Sequence, residues 1–410
     1  MKLSELPEKY PRLKYAVLLL WIVMALLVTR GRISHDAINN FLIFKYTYFH
    51  ALNGQNLYDL YPANYYDSNH YGPLFSLVIA PFALLPKGID MYAWQVCMVL
   101  IFFAAVNKLP IRVKEKLFLM VICSQELHIS LLEFQTNSAV AAMIMLTWIC
   151  IENKKDFWAA LFIVAGFYIK LYGIVGLAFF FFSDNKKVLV QSLIFWGAAL
   201  FVAPMAIFSP SFVVQSYNDW YHSLVFKNLQ NEAITNPYQD ISVMGMIRKI
   251  SGNGEIPTLP VLLAGMFLFS LPYLRVDRLS NRPFRLMMLS SVLLFTVLFS
   301  TGSEHATYIV AFAGIGIWFV TLKRSWDKWQ WAFFLVVMYF GSLFYSDLST
   351  YHFRAQIMRP YALKALPCLL VWLAISAQLI RGQVCFRFTP RYFQFVNTLK
   401  SNKIYEGQSR

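Results

Sequence analysis

Ser34-His35-Asp36-Ala37-Ile38-Asn39-Asn40 is a polar stretch set directly after a membrane-length apolar run near residues 13 to 29, at the head of a long aromatic loop. The junction makes the run a transmembrane helix ending at a bilayer rim, and it leaves the Asp36 carboxylate at head-group level. Apolar runs alternate with short polar junctions along all 410 residues. With 58% hydrophobic, 17% aromatic and 14% charged residues, no stretch remains for a separate soluble domain of ordinary size. The class is an all-α polytopic membrane protein forming one domain over residues 1–410.

A net charge of +15 would suggest nucleic acid in a soluble chain. Here the Lys and Arg residues gather between apolar runs, as the positive-inside bias requires, so the charge reports topology and no nucleic-acid partner is expected. Lys2, Lys9, Arg12 and Lys14 precede the first helix and place the N-terminus in the cytoplasm. Val28-Thr29-Arg30-Gly31 offers no small-x-small cleavage site, so that helix is read as retained. The five cysteines, Cys97, Cys123, Cys150, Cys368 and Cys385, lie far apart without a Cys-x-x-Cys pair, and four of them sit inside apolar runs as small hydrophobes.

Apolar runs predict helices near residues 13–29, 73–86, 90–107, 117–132, 136–151, 157–182, 188–208, 258–275, 284–300, 306–322, 329–346 and 361–380, twelve in all. The resulting divisions are a core over 13–208 with a first outside loop at 30–72, a second outside loop at 209–257, C-terminal helices over 258–380 and a basic cytoplasmic tail at 381–410. The second half obeys the positive-inside rule. The middle does not, because Lys108, Arg112, Lys114, Lys116, Lys154 and Lys155 land outside. A re-entrant hairpin turning at Lys170 within 157–182 is the alternative to an orientation carried by the two ends alone. Ile38, Phe41, Leu42, Tyr46 and Phe49 recur at spacings of three and four, which predicts an amphipathic interfacial helix in the first loop.

Candidate catalytic groups gather at one membrane face. Asp36 follows the first helix, His70 and Tyr71 precede the second, Glu304 and His305 end the ninth, and His352, Arg354 and Arg359 occupy the last outside loop. A carboxylate such as Asp36 can take a hydroxyl proton as a glycosidic bond forms, or it can cap the helix that follows; both readings stay open. Lys170, between Gly166-Phe167-Tyr168-Ile169 and Leu171-Tyr172-Gly173, would cost about 2.5–3.5 kcal/mol at mid-membrane, so it either snorkels or binds phosphate. Glu126, His128 and Glu133 pose the same question. No Asp-x-Asp pair, phosphate loop or His-Glu-x-x-His is present, so neither a metal, a cofactor nor a soluble nucleotide donor is expected.

Asp36, Gly54-Gln55-Asn56-Leu57-Tyr58, and Tyr71-Gly72-Pro73-Leu74 running into Ala80-Pro81-Phe82-Ala83-Leu84-Leu85-Pro86 together resemble the opening of glycosyltransferase family 87. Gln135-Thr136-Asn137 is similar to its Gly-Gln-x-Asn element, Lys170 to its Lys-x-x-Pro lysine, Asn236 to Gly245 to its Asn-rich segment, and His305 to the histidine after helix nine. Gly72 stands where the family usually has a proline, Phe134 where it has a glycine, and Gly173 where it has a proline. The resemblance implies a GT-C fold at the plasma membrane, with an active site on the outer face. It also implies a polyprenyl-phosphate sugar donor, mannose first, a lipid-linked or glycan acceptor, and inversion at the anomeric carbon. Asp36 would then be the base, and His305, Lys170, Asn137 and Glu304 donor-phosphate contacts. His35, His70, Tyr71, Arg354 and Arg359 would be acceptor or lipid contacts. A transporter or flippase, and a non-catalytic partner with a decayed site, are the competing readings; internal repeats and midplane charges would mark the former.

Overall fold

The computed structural model describes residues 11–322, 327–346 and 348–382. Lys2, Lys9, residues 323–326, Cys385 and the basic tail beyond residue 382 lie outside the described residues. Every regular element among the described residues is helical. Three helices, Leu13–Ser34, Ile89–Lys108 and Lys186–Ala206, are long and apolar enough to cross a bilayer, and shorter apolar helices surround them. This is an all-α membrane protein.

Helix α1 (Leu13–Ser34) turns Leu19, Leu20 and Leu27 outward and buries Trp21, Ala25 and Val28 against the bundle. The loop helix α2 (Asn39–Leu52) forms as expected. Phe41, Ile43, Phe44, Thr47, Tyr48 and Ala51 are all buried, so neighbouring loops cover most of its circumference.

The expected helix at 73–86 shrinks to α3 (Phe75–Ala83). Nine residues rise only about 13 Å, too little for a hydrocarbon core of about 30 Å. Lys45 on α2 reaches Asp90 at the start of α4 (Ile89–Lys108) at 2.6 Å, so α4 begins at the end of the bundle where α2 lies. Its other end meets the start of α1, where Lys14 Nζ donates to Asn107 Oδ1 at 2.8 Å. Helices α5 (Val113–Leu132) and α6 (Asn137–Glu152) then run to that first end and back.

The run at 157–182 is two elements: α7 (Asp156–Lys170) and a 3-10 helix, Tyr172–Phe182. Leu171, at φ 55, reverses the chain between them. The two legs touch so closely that a Cβ on Gly173 would lie 2.4 Å from the Ile163 carbonyl oxygen. At the open end Lys154 pairs with Asp184 at 2.7 Å. The run therefore folds back on itself, with Lys170 at the turn. With α3 too short to cross and the run at 157–182 folded back on itself, Lys116 and Lys154 fall at the same end as Lys14 and Arg285.

The chain continues through α8 (Lys186–Val202), the long loop helix α9 (Pro210–Asn231), α10 (Val243–Ser251), α11 (Thr258–Ser270), α12 (Arg282–Leu298), α13 (Tyr308–Thr321), α14 (Lys328–Gly341) and α15 (Ala365–Arg381). Residues 286–294 of α12 and 308–319 of α13 are buried without exception. Helices apolar all round belong at the centre, and here α5, α6 and α15 pack around them.

The polar residues divide between two ends. At one, Lys14 and Lys116 meet Asn107, Arg112 pairs with Glu115, Arg285 pairs with Glu152 at 2.8 Å, and Arg275 donates to the Ile380 carbonyl at 2.8 Å. This basic end gathers the cations that the sequence count had split. The opposite end carries residues 34–40, 66–72, 133–137, 170–172 and 299–305.

Candidate functional site

Lys170 is the centre of that opposite end. Its Nζ donates to Asn137 Oδ1 at 3.0 Å and Gln135 Oε1 at 3.2 Å, and it stands over the rings of Tyr71 at 5.3 Å and Tyr172 at 5.8 Å. Tyr71 donates its hydroxyl proton to Gln135 Oε1 at 3.0 Å, with Thr136 Oγ1 equally near. The Tyr172 hydroxyl reaches the Gly302 carbonyl at 3.2 Å. The ammonium thus has neutral direct partners, and no ion pair forms at it among the described residues. Glu304 is an opposing charge that acts on it at longer range. A cation held by neutral oxygens and aromatic faces is suited to an incoming anion.

The Glu304 loop is fixed by a second segment. Ile241 donates its N–H to the Ser303 carbonyl at 2.8 Å, and the Tyr308 hydroxyl donates to the Ile241 carbonyl at 2.7 Å. Asp240 in turn pairs with Arg248 at 2.5 Å, both almost fully buried. Burial raises the Glu304 carboxyl above the usual carboxylate range, and Lys170 and Lys227 oppose that rise. His305 stands within electrostatic reach of Lys364, Arg359 and Lys249. Arg359 lies over the Tyr238 ring at 5.4 Å. The 236–245 segment, Glu304, His305 and Arg359 therefore form one polar wall beside Lys170. Arg354 stands further along the last loop, where it donates to the Ser346 carbonyl at 2.7 Å.

Asp36 is exposed at the end of α1 and takes φ 51, a left-handed value uncommon for aspartate. Ile38 is the residue at the cap of α2, with no side-chain bond there, so Asp36 does not serve as that cap. Its carboxylate makes no hydrogen bond or ion pair among the described residues. Its neighbours tie it to the Lys170 cluster through Glu133, because Arg32 Nη2 reaches Glu133 Oε2 at 3.5 Å and Asn40 Nδ2 donates to the Glu133 carbonyl at 3.0 Å. Two residues later Gln135 holds Lys170. His35 folds its Nδ1 onto the Gly31 carbonyl at 2.8 Å. His70 seats α9 on the first loop: its Nδ1 meets Ser223 Oγ at 2.9 Å, and its carbonyl accepts from Trp220 Nε1 at 2.9 Å. Burial first, then Lys227, pushes the His70 imidazole down to about 4.

The family model of Glycosyltransferase family 87 matches residues 69–301, more than half of the chain. The chain belongs to glycosyltransferase family 87. No curated protein and no solved structure matches it. The membrane glycosyltransferase so identified has Lys170, Tyr71, Asn137 and the 236–245 segment inside the matched range, and Asp36, Glu304, His305 and Arg359 outside it.

The three departures from the family pattern have physical readings. Phe134 stands at φ 51, a conformation for which glycine is the natural residue. The side chain gained is fully buried and packs its ring 5.7 Å from that of Phe41. Gly72 donates its N–H to the Ile169 carbonyl at 3.2 Å, which a proline could not do, and a Cβ there would sit 2.0 Å from the Tyr168 carbonyl oxygen. Gly173 allows the hairpin legs to touch. Sequence reasoning missed Gln135 as the hub between Tyr71 and Lys170, and it missed Lys227, Lys249 and Lys364 as further cations. Lys364 lies in the last quarter, where no motif resembled the family. Among the described residues no three His, Cys, Asp or Glu side chains gather as metal ligands.

Proposed function

We propose that this glycosyltransferase moves a sugar, mannose first, from a polyprenyl phosphate to a lipid-linked or glycan acceptor, with inversion and without a metal. The observation that carries the reading is Lys170, a cation partnered directly by neutral groups at the same end of the bundle as the unengaged Asp36 carboxylate. Asp36 would take the acceptor hydroxyl proton as that oxygen attacks the anomeric carbon from the face opposite the phosphate. The bond from the anomeric carbon to the phosphate oxygen breaks, and the lipid phosphate leaves with the electron pair. Lys170 and His305 would meet the charge growing on that oxygen, the role that preorganised donors play at developing anions. Asn137 and Gln135 hold the lysine in place.

Orientation follows from charge. The basic end, with Lys14, Lys116, Lys154 and Arg285, is the end the positive-inside bias retains in the cytoplasm. The site end then faces outward across the plasma membrane, where nucleotide sugars are scarce and polyprenyl-phosphate sugars serve as donors. The test is transfer by the purified protein in detergent with chelator present. Sugar should pass from polyprenyl-phosphate mannose at an undiminished rate. Robust transfer from a soluble nucleotide sugar, abolished by chelator and indifferent to the lipid donor, would overturn the proposal.

A further inference from the structure

A second feature of the site end lies beside Asp36, whose neighbours His35 and Ala37 line it. Between α1 and α5 runs a cavity of about 430 Å³, within the range of small-molecule sites. Leu27, Val28 and Leu132 supply apolar wall, while Arg32, His35 and His128 supply polar atoms. Leu27 is 63% exposed, so the groove opens on the outer surface of the bundle, where lipid chains run. Gly31 is part of its wall, and a Cβ built there would meet nothing within 4 Å. A helical glycine costs about 1 kcal/mol relative to alanine, and no close packing explains this one.

The polar groups match an anion. Arg32 touches Glu133 only at 3.5 Å, and its Nε is buried without a hydrogen-bond partner among the described residues. His35 uses Nδ1 on the helix end, and no bond forms at its Nε2 among the described residues. His128 is an ionisable residue within a membrane helix, which by itself marks a ligand path more often than a packing role.

We infer that this groove binds the isoprenoid chain of a polyprenyl-diphosphate-linked acceptor, with the diphosphate at Arg32 and His35 and the acceptor sugar at Asp36. The inference rests on the proposed transferase reading and narrows its acceptor to a lipid-linked one. Two relationships assign the groove to acceptor rather than donor. It adjoins Asp36, the group that would take the acceptor proton, and on the proposed reading the donor phosphate has its own contacts at Lys170 and His305. A single groove between two helices accommodates one chain, which favours an isoprenoid over a two-chain glycolipid.

Gly31→Phe fills the groove without removing a polar group. With a fixed donor, wild type should prefer a polyprenyl-diphosphate-linked sugar to the same sugar on a short water-soluble aglycone. Gly31→Phe should cut kcat/KM for the lipid acceptor at least tenfold more than for the tail-less one, with donor KM within twofold of wild type. Equal loss on both acceptors, a change confined to donor KM, or better use of a diacyl glycolipid by wild type would overturn the assignment. A second measurement is independent of turnover: a polyprenyl diphosphate bearing a benzophenone should label peptides from α1 and α5 in wild type and lose that labelling in Gly31→Phe. Labelling elsewhere, or labelling unchanged by the substitution, would overturn the groove. Labelling as expected in a protein that transfers no sugar would leave the groove standing and sink the transferase proposal instead.

Discussion

Lys364, just before α15, and Glu126 on α5 form a 2.8 Å ion pair in which neither side chain has exposed surface. Lys364 Nζ also lies 3.4 Å from the His305 carbonyl oxygen and 4.6 Å from the centre of the Tyr308 ring. The pair fastens the C-terminal quarter to the part of the chain that the family model matches. Removing one member strands a buried charge, so Glu126→Gln or Lys364→Met should each destabilise the protein by about 3–5 kcal/mol. Glu126→Met with Lys364→Met should recover much of that loss. Thermal unfolding in detergent measures all three, and a double variant no better than the singles would contradict this account.

Asp36→Asn preserves shape and removes the proposed base. Turnover should fall about a hundredfold or more, the usual scale of acid–base catalysis, while folding and donor binding stay near wild type. Near-normal transfer by the variant would remove Asp36 from the mechanism.

Lys170→Met and His305→Ala should act on the donor. Each should lower kcat/KM for the polyprenyl-phosphate sugar by roughly 1.5–3 kcal/mol, the worth of a hydrogen bond to a charged group, and affect acceptor KM less. Kinetics with each substrate varied in turn would separate the two effects.

His70 gives the fold a dependence on acidity. Its folded value of about 4 lies below the ordinary 6.5, so the unfolded chain binds the extra proton between those limits. Its contribution to stability is therefore complete above pH 6.5 and is lost as pH falls toward 4. His70→Asn should flatten the fall in Tm between pH 6.5 and 4.5; a variant with the wild-type slope would mean that other groups set it.

Orientation can be read with an impermeant thiol reagent on intact cells. A cysteine at Ala63 should react and one at Lys155 should be protected. The reverse result would place the site in the cytoplasm.

Much of the site was legible because membrane burial makes a polar residue conspicuous. Lys170, Glu304 and His305 interrupt apolar surroundings, and the structure brings them together. Long-range partners left no such trace: nothing in the spacing joins Glu126 to Lys364 or makes Gln135 the hub beneath Lys170. The hairpin was offered only as an alternative because hydropathy cannot distinguish one long crossing from two short ones, and its turn depends on Leu171 adopting a left-handed φ. The helix at 73–86 was overread for a related reason, since apolar composition does not register that α3 stops after nine residues.

Lys170, Glu304 and Asp36 stand at or just beyond the ends of apolar helices, and every regular element around them among the described residues is helical. The lipid-borne reactants of the proposed reaction would meet the protein by lateral diffusion, and the concentration that governs their encounter would be a mole fraction in the bilayer. Adding inert phospholipid at constant bulk substrate thins both partners in two dimensions, so a rate set by this architecture follows surface density and not millimolar content.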